Sequence, residues 1–200
     1  MIDNFEQIKS LLKFDSEEDF YFLQVIQRKK DHKNDSTTKL GTNNNSRLIK
    51  AYYIYSTEQL DRYKEEIIQL CNLFNARAGI SLNRRNSRDL SLEMLSLLAY
   101  NIKSNHFNQL SNLYNSVCGQ YHSEKDKTWI LDIDTKDMNV VEKIKNDIVD
   151  LEPVGKKDIA LIETKNGYHL ITKAFNSQKF GLLYPEVEVH KNNPTIVYIP

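Results

Sequence analysis

Two aspartates at alternating positions of a predicted strand are the residues best suited to metal chemistry. Asp132 and Asp134 lie in the run Trp-Ile-Leu-Asp-Ile-Asp, whose β-branched and large apolar residues favour a strand. Side chains two residues apart on a strand point to the same face, so the two carboxylates project side by side. They repel each other unless a cation lies between them, and their hard oxygen atoms suit Mg²⁺ or Mn²⁺. As an alternative, Asp134 only ends the strand and opens a turn.

A histidine lies close to a predicted hairpin turn downstream of the aspartates. Asn166-Gly167 stands between two apolar runs, and Asn-Gly in that setting is a strong short-range signal for a β-hairpin. The turn brings Thr164, Lys165 and His169 near the hairpin tip. Imidazole and ammonium groups donate hydrogen bonds to phosphate oxygens, so these residues are candidates for binding a triphosphate. A hydrogen-bonded strand histidine without such a role is the alternative.

A third carboxylate occurs near the end of the chain. Glu188 lies between Val187 and Val189, which repeats the apolar-acid-apolar pattern found around Asp132. If its strand pairs beside that of Asp132, Glu188 completes a two-metal site. As an alternative, Glu188 is an ordinary solvent-facing strand residue.

Composition narrows the classes of function. The 200 residues include 27 Lys and Arg and 27 Asp and Glu, so no overall positive charge marks a nucleic-acid binder, although local basic patches remain open. Cys71 and Cys118 do not have the spacing of metal ligands. A P-loop, a dinucleotide fingerprint and a nucleophile elbow are all absent. Without a signal peptide or a membrane-spanning segment in the sequence, we expect a cytoplasmic protein with no membrane association.

The order of predicted elements indicates an α+β fold that forms one compact unit of two parts. Residues 1–120 are expected to form a βαβ-like N-terminal module with a helical insert, and residues 121–200 a βαββ(α)β module in a split-βαβ arrangement. We expect strands at residues 20–27, 47–55, 76–82, 129–134, 159–163, 168–172, 187–189 and 196–199. We expect helices at residues 2–14, 57–75, 91–100, 107–117 and 139–150, and an apolar segment at 175–184.

Taken together, the three motifs resemble the pattern of archaeo-eukaryotic primases and primase-polymerases. The matching segments are Leu131-Asp132-Ile133-Asp134, Thr164 to His169, and Val187-Glu188-Val189. The chain departs from the usual pattern at two positions. Gly167 stands where the family usually has Ser, and Glu188 stands where Asp is more usual.

The resemblance implies an RRM-like catalytic palm packed on the N-terminal module, and template-directed nucleotidyl transfer with two divalent metals, Mg²⁺ or Mn²⁺. Asp132, Asp134 and Glu188 would be the catalytic metal ligands. His169 would contact the phosphates of the incoming nucleotide, with Thr164 and Lys165 beside it. The partners would be nucleotides and single-stranded nucleic acid, with a replication helicase or another protein as a further partner.

Basic residues at strand ends of the first module are candidates for contact with a nucleic-acid backbone, because cationic side chains bind phosphates. As an alternative, they are ordinary solvated strand ends. The candidates are Arg28, Lys30, Arg47, Arg84 and Arg85.

Two other functions remain open. The apolar strand that ends in Glu163-Thr164-Lys165 resembles the active-site motif of PD-(D/E)xK nucleases, in which the acids hold Mg²⁺ and the lysine orients the attacking water. In that case Asp132 or Asp134 would have to supply a second acid from another element. A non-catalytic module of primase-like fold that binds nucleotides or nucleic acid is the third candidate.

Overall fold

The computed structural model describes residues 1–28, 46–122 and 127–200. Within these ranges the chain forms two antiparallel β-sheets and six α-helices, which confirms the α+β prediction. None of the described helices has both the length and the apolar composition needed to cross a membrane. Lys30, one of the predicted nucleic-acid contacts, lies outside the described residues.

Most elements lie where the sequence predicts them, but residues 2–3 are a strand and the third predicted strand continues past residue 82. The strands are β1 (Ile2–Asp3), β2 (Asp19–Arg28), β3 (Ser46–Ile54), β4 (Arg77–Asn86), β5 (Thr128–Ile133), β6 (Asp158–Glu163), β7 (Tyr168–Lys173), β8 (Glu188–His190) and β9 (Thr195–Ile199). The helices are α1 (Phe5–Leu11), α2 (Thr57–Phe74), α3 (Ser87–Lys103), α4 (Leu113–Gln120), α5 (Met138–Asp147) and α6 (Ser177–Leu183), and a 3-10 helix (Phe107–Asn112) precedes α4.

The first sheet has the strand order β1-β9-β4-β2-β3. Each neighbouring pair is antiparallel, and β9 returns from the end of the chain to lie between β1 and β4. Residues 121–200 therefore contribute strands to both sheets. Helices α1 and α2 cover one face, where Ile8 and Ile67 pack in the same core as Leu23 and Ile80. On the other face, α3 and α4 pack over the start of β2.

The second sheet has the order β6-β7-β5-β8 and is also antiparallel throughout. Helices α5 and α6 cover one of its faces, where Val141 and Phe180 pack with Leu131 and Leu170 in a separate core. Alternate residues of the same strands, such as Ile130, belong to the core of the first sheet. The second sheet therefore has helices behind it and the first sheet in front of it.

Two buried asparagines join the sheets through hydrogen bonds between their side-chain amides and backbone groups. The Nδ2 of Asn4 donates to the carbonyls of Glu163 and Ile196, at 2.9 and 3.1 Å. At the other end of the contact between the sheets, Oδ1 of Asn83 accepts a hydrogen bond from the N–H of Thr128 at 2.8 Å. Its Nδ2 donates to the carbonyls of Thr128 and Lys191. Since buried backbone groups need partners, these side chains fix how the two sheets face each other.

The prediction that Arg85 contacts nucleic acid is corrected by its burial, because a fully buried side chain offers no surface to a phosphate backbone. Strand β4 extends past this residue, and the end of α4 packs over it. Its Nε donates to the carbonyl of Cys118 at 2.8 Å, and its Nη1 donates to the carbonyl of Asn83. A cation that binds the last carbonyls of a helix is stabilised by the helix dipole.

The tip of the β6–β7 hairpin packs against the end of β5. The N–H of Thr164 donates to the carbonyl of Gly167 at 3.0 Å, and the N–H of Gly167 donates to the Thr164 hydroxyl at 3.1 Å. A Cβ atom on Gly167 would lie 1.8 Å from the carbonyl oxygen of Ile133 and 2.7 Å from the amide nitrogen of Thr135. Both atoms belong to the backbone, so this position of the hairpin has no room for a side chain, including the serine usual in primases.

We predict that Gly167→Ala lowers the free energy of unfolding by about 2 kcal/mol or more, because the backbone of β5 has to move away from the new methyl group. Gly181→Ala is the control, since a Cβ at this position of α6 would meet nothing within 4 Å. An alanine there should raise stability by about 0.5–1 kcal/mol. Urea unfolding followed by circular dichroism measures both changes, and equal stability of Gly167→Ala and the native chain would contradict the prediction.

Candidate functional site

The hydrogen-bond register of the second sheet brings three of the predicted site residues into one row. Strand β5 lies between β7 and β8, and Asp132 pairs directly with His169 on one side and with Glu188 on the other. Residues directly opposite each other on neighbouring strands share a face and have Cβ atoms about 4.5–5.5 Å apart. His169, Asp132 and Glu188 therefore lie side by side, on the face that is turned away from α5 and α6.

A cleft of about 700 Å³ lies between this row and the first sheet. Asp134, which directly follows β5, lines the cleft, and so do Thr164 and Lys165 of the hairpin. The structure thus gathers all six predicted catalytic and nucleotide-binding residues around one cavity. The remaining walls are lined by Ile26, Arg28, Ser46, Arg77, Gly79, Asn166, Glu186, His190, Asn193, Pro194, Ile196 and Ile199.

His169 is held in place by a residue of the other sheet. Its Nδ1 lies 2.9 Å from the hydroxyl oxygen of Thr195 on β9, which leaves Nε2 facing Asp132 with 3.5 Å to Oδ1. Burial lowers the pKa of the imidazole to about 4, and the neighbouring charges of His190 and Arg77 act in the same direction. At neutral pH the ring is therefore uncharged, and its approach to Asp132 is not an ion pair.

Asp132 lies at the centre of the charges in the cleft. Burial raises the pKa of its carboxyl group, and repulsion from Asp134 and Glu188 adds to that rise, whereas His190 and Arg28 oppose it. A carboxyl group whose pKa is raised by burial and by nearby acids is stabilised in its charged form when a cation comes close.

The carboxylates that line the cleft are not arranged as a metal-binding shell. Among the described residues, no three side chains of Asp, Glu, His or Cys stand close enough together to enclose a metal ion as they are placed. Carboxylates repel one another in the absence of a cation, so Asp132, Asp134 and Glu188 provide suitable donors in one cleft but not a formed metal site.

Two site residues were missed by the sequence analysis. His190 lines the cleft two residues after Glu188 on β8, so the rule that alternate strand residues share a face could have found it. Arg77 enters the cleft from β4 in the other sheet. No local signal distinguishes Arg77, because its position depends on how the two sheets pack.

The predicted basic contacts separate into one residue in the cleft and several elsewhere. Arg28 lines the cleft and pairs with Ser46, which is also part of the lining. Arg47 is the next residue on β3, so it points to the opposite face of the sheet. Arg84 lies away from the cleft lining, where its Nη1 pairs with Asp15 at 2.7 Å and Asp19 at 3.2 Å.

Glu163, the acid required by the nuclease hypothesis, lies on the other face of the second sheet. It pairs with Tyr168, which pairs in turn with Ile133, and these positions alternate with the row that contains Asp132. Its carboxylate forms an ion pair of 2.8 Å with Lys136. Lys165 lines the cleft, but Glu163 does not share that cavity with Asp132 or Asp134.

We predict that His169 makes stability depend on pH between about 4 and 6.5. The folded imidazole has a pKa near 4, below the usual 6.5, so the unfolded chain takes up the proton first as the pH falls. The stability present above pH 6.5 is therefore lost towards pH 4, by about 3 kcal/mol for this group. Urea unfolding at several pH values should show a steeper loss in the native chain than in His169→Gln. Parallel pH profiles of the two proteins would contradict the assignment.

Comparison with known proteins gives no relative for this chain: no family model, no curated protein and no solved structure matches it. The similarity to primases consequently depends on the three motifs and on the geometry described above, and it stays a prediction.

Proposed function

We propose that the chain is a primase-type nucleotidyltransferase, which joins nucleotides along a single-stranded template. The observation that carries the proposal is the register of β5 with β7 and β8. That register aligns His169, Asp132 and Glu188 on one wall of a cleft of about 700 Å³, with Arg28 and Arg77 among the residues that line it. Carboxylates beside cationic donors are the combination that a metal-bound triphosphate requires.

The strand order of the second sheet supports an RRM-like palm. The order β6-β7-β5-β8, with α5 after β5 and α6 after β7, is that of a split-βαβ fold. Both helices pack on the same face of the sheet, so its other face is left to carry the site. In this arrangement Asp132 lies on a central strand, and both neighbouring strands contribute a side chain to the proposed site.

Asp132, Asp134 and Glu188 fit a divalent metal by the chemistry of their donor atoms. Carboxylate oxygens are preferred by Mg²⁺ and Mn²⁺, and part of the raised pKa of Asp132 comes from the other two acids. Bound at these carboxylates, the metal would lower the pKa of the attacking 3′-hydroxyl and balance charge on the pyrophosphate leaving group.

The lining of the cleft suits the two parts of a nucleotide. Lys165, Arg28 and Arg77 supply cationic donors for a triphosphate, while Ile196 and Ile199 add apolar surface for a base or sugar. These contacts would bind and orient the nucleotide before any bond is made. A protein partner such as a replication helicase stays a prediction.

His169 would donate a hydrogen bond to a phosphate oxygen without bringing a charge into the site. Its imidazole is neutral because its pKa lies near 4, and Nδ1 is engaged by the hydroxyl of Thr195. Nε2 is therefore the ring nitrogen that can donate to a ligand in the cleft. Because the ring is already held in a fixed orientation, this donor does not have to reorient during the reaction.

We predict that Asp132→Asn lowers the rate of nucleotide incorporation by on the order of 100-fold or more, because it removes a central charge from the candidate metal site. The matched control is Glu163→Gln, which removes a carboxylate from the other face of the same sheet and should keep activity within about twofold. The assay is Mn²⁺-dependent extension with a labelled nucleotide on a single-stranded template.

The same assay separates the competing functions. Degradation of the template that depends on Glu163 would replace the proposal with a metal-dependent nuclease. Absence of both synthesis and degradation, with nucleotide still bound by the folded chain, would replace it with a non-catalytic binding module.

We predict that Arg28→Gln weakens binding of a nucleoside triphosphate by about tenfold to a hundredfold, because one cationic donor to the phosphates is lost. Arg47→Gln is the control, since this arginine of the neighbouring strand points to the opposite face and should leave affinity unchanged. Fluorescence anisotropy with a labelled triphosphate and Mn²⁺ measures both variants. Equal losses in the two variants would indicate a general charge effect and would contradict a specific contact in the cleft.

A further inference from the structure

We propose that α3 is the interface of a homodimer, in which the outer face of this helix packs antiparallel against the same face of a second copy of the chain. The inference is independent of the proposed function, since none of the described residues that line the cleft belongs to α3. It assigns a partner to a surface that is exposed in the single chain.

Helix α3 has apolar residues on two opposite faces. The residues of its inner face pack in the core over the start of β2, and they are Leu90, Met94, Leu97 and Leu98. The residues of its outer face are exposed, and they are Leu92, Leu95, Ala99 and Ile102. With 3.6 residues per turn, the outer four lie within an arc of about 80° on the side opposite the inner four. A surface helix normally has polar residues on that side, so the outer face indicates a further contact.

The spacing of the outer residues fits a second helix. Steps of three, four and three residues lead from Leu92 to Ile102, which is the spacing of the a and d positions of a coiled coil. The two leucines of this face are 60% and 58% exposed, and Ile102 is 49% exposed. The steps are the same in both directions along the helix, so an antiparallel copy places Leu92 opposite Ile102. It also places Leu95 opposite Ala99, a large side chain against a small one. A two-fold axis generates a self-complementary contact of this kind.

Charges beside the outer face favour the antiparallel direction. Asp89 and Lys103 lie two heptads apart at e positions, on the same edge of that face. Antiparallel pairing brings Asp89 of one copy beside Lys103 of the other, and Ser96 faces its own copy at the two-fold axis. In a parallel pair e positions face g positions, so Lys103 would face Leu98 and this ion pair would not form. The antiparallel pair also opposes the two helix dipoles, which is the favourable arrangement.

The size of the contact predicts a weak dimer. A helix of 17 residues is about 25 Å long. Two such helices in contact bury on the order of 1,000 Å² in total, which is near the lower limit for a specific protein interface. We therefore expect a dissociation constant of about 1–100 μM.

The first test is sedimentation velocity of the full-length chain at concentrations from about 1 to 300 μM. The native chain should change from the mass of one copy to the mass of two. Leu95→Glu should stay monomeric, because a charge in the apolar contact raises the dissociation constant by about a hundredfold or more. Leu182→Glu is the matched control, since this leucine of α6 is 85% exposed and belongs to the helix layer of the second sheet. It should associate as the native chain does.

Cross-linking with a short bismaleimide tests the direction of pairing without changing the apolar face. Ser96→Cys lies at the two-fold axis and should be cross-linked between copies. Ser91→Cys lies about 18 Å along the helix axis from its own copy in an antiparallel pair, so it should not be cross-linked. The native cysteines, Cys71 and Cys118, are buried and should give a low background.

A native chain that stays monomeric at the highest concentration, or association of Leu95→Glu equal to that of the native chain, would overturn the proposal and leave this face to a different partner. Cross-linking of Ser91→Cys as efficient as that of Ser96→Cys would overturn the antiparallel contact. These outcomes would leave the proposed function intact, because the cleft is formed without α3.

Discussion

The pairing of β5 with its two neighbours is the constraint on which the rest of the site depends. Leu131 and Ile133 must face the core beneath α5 and α6, so Asp132 must face the other way. A shift of one residue would exchange these faces, turn Leu131 and Ile133 towards the cleft, and place the Asp132 carboxylate in the apolar core beneath the helices. The free energy of burying an apolar core therefore also fixes which side chains reach the cleft, and the chemistry of the site follows from the packing behind it.

The contact between the two sheets places residues of both sheets around the cleft. Asn4 and Asn83 hold the sheets together at opposite ends through hydrogen bonds between their side chains and backbone groups, and the cleft lies along that contact. Thr195 then orients His169 from the opposite sheet, and Arg28 and Arg77 bring positive charge to the acids. A chain with zero net charge can in this way gather cations locally around a group of carboxylates.

Alternation and turn chemistry were enough to predict much of the fold and part of the site. The two apolar runs around Asn166-Gly167 form the expected hairpin, and the helix expected at residues 57–75 is present as α2 (Thr57–Phe74). Other residues depended on contacts distant in sequence. Arg85 resembles a solvated strand end until the end of α4 is known to lie over it, and Arg47 differs from Arg28 only through the pairing of β3 with β2.

Crystals of the chain grown with Mn²⁺ and a non-hydrolysable nucleoside triphosphate would show, through an anomalous difference map, whether the cleft binds a metal and a nucleotide. We expect a Mn²⁺ peak bound by the carboxylates of Asp132 and Glu188, with the triphosphate lying towards Arg28 and Lys165. A nucleotide bound elsewhere, or a cleft that stays empty at saturating nucleotide and Mn²⁺, would contradict the assignment of this cleft as the nucleotidyl-transfer site.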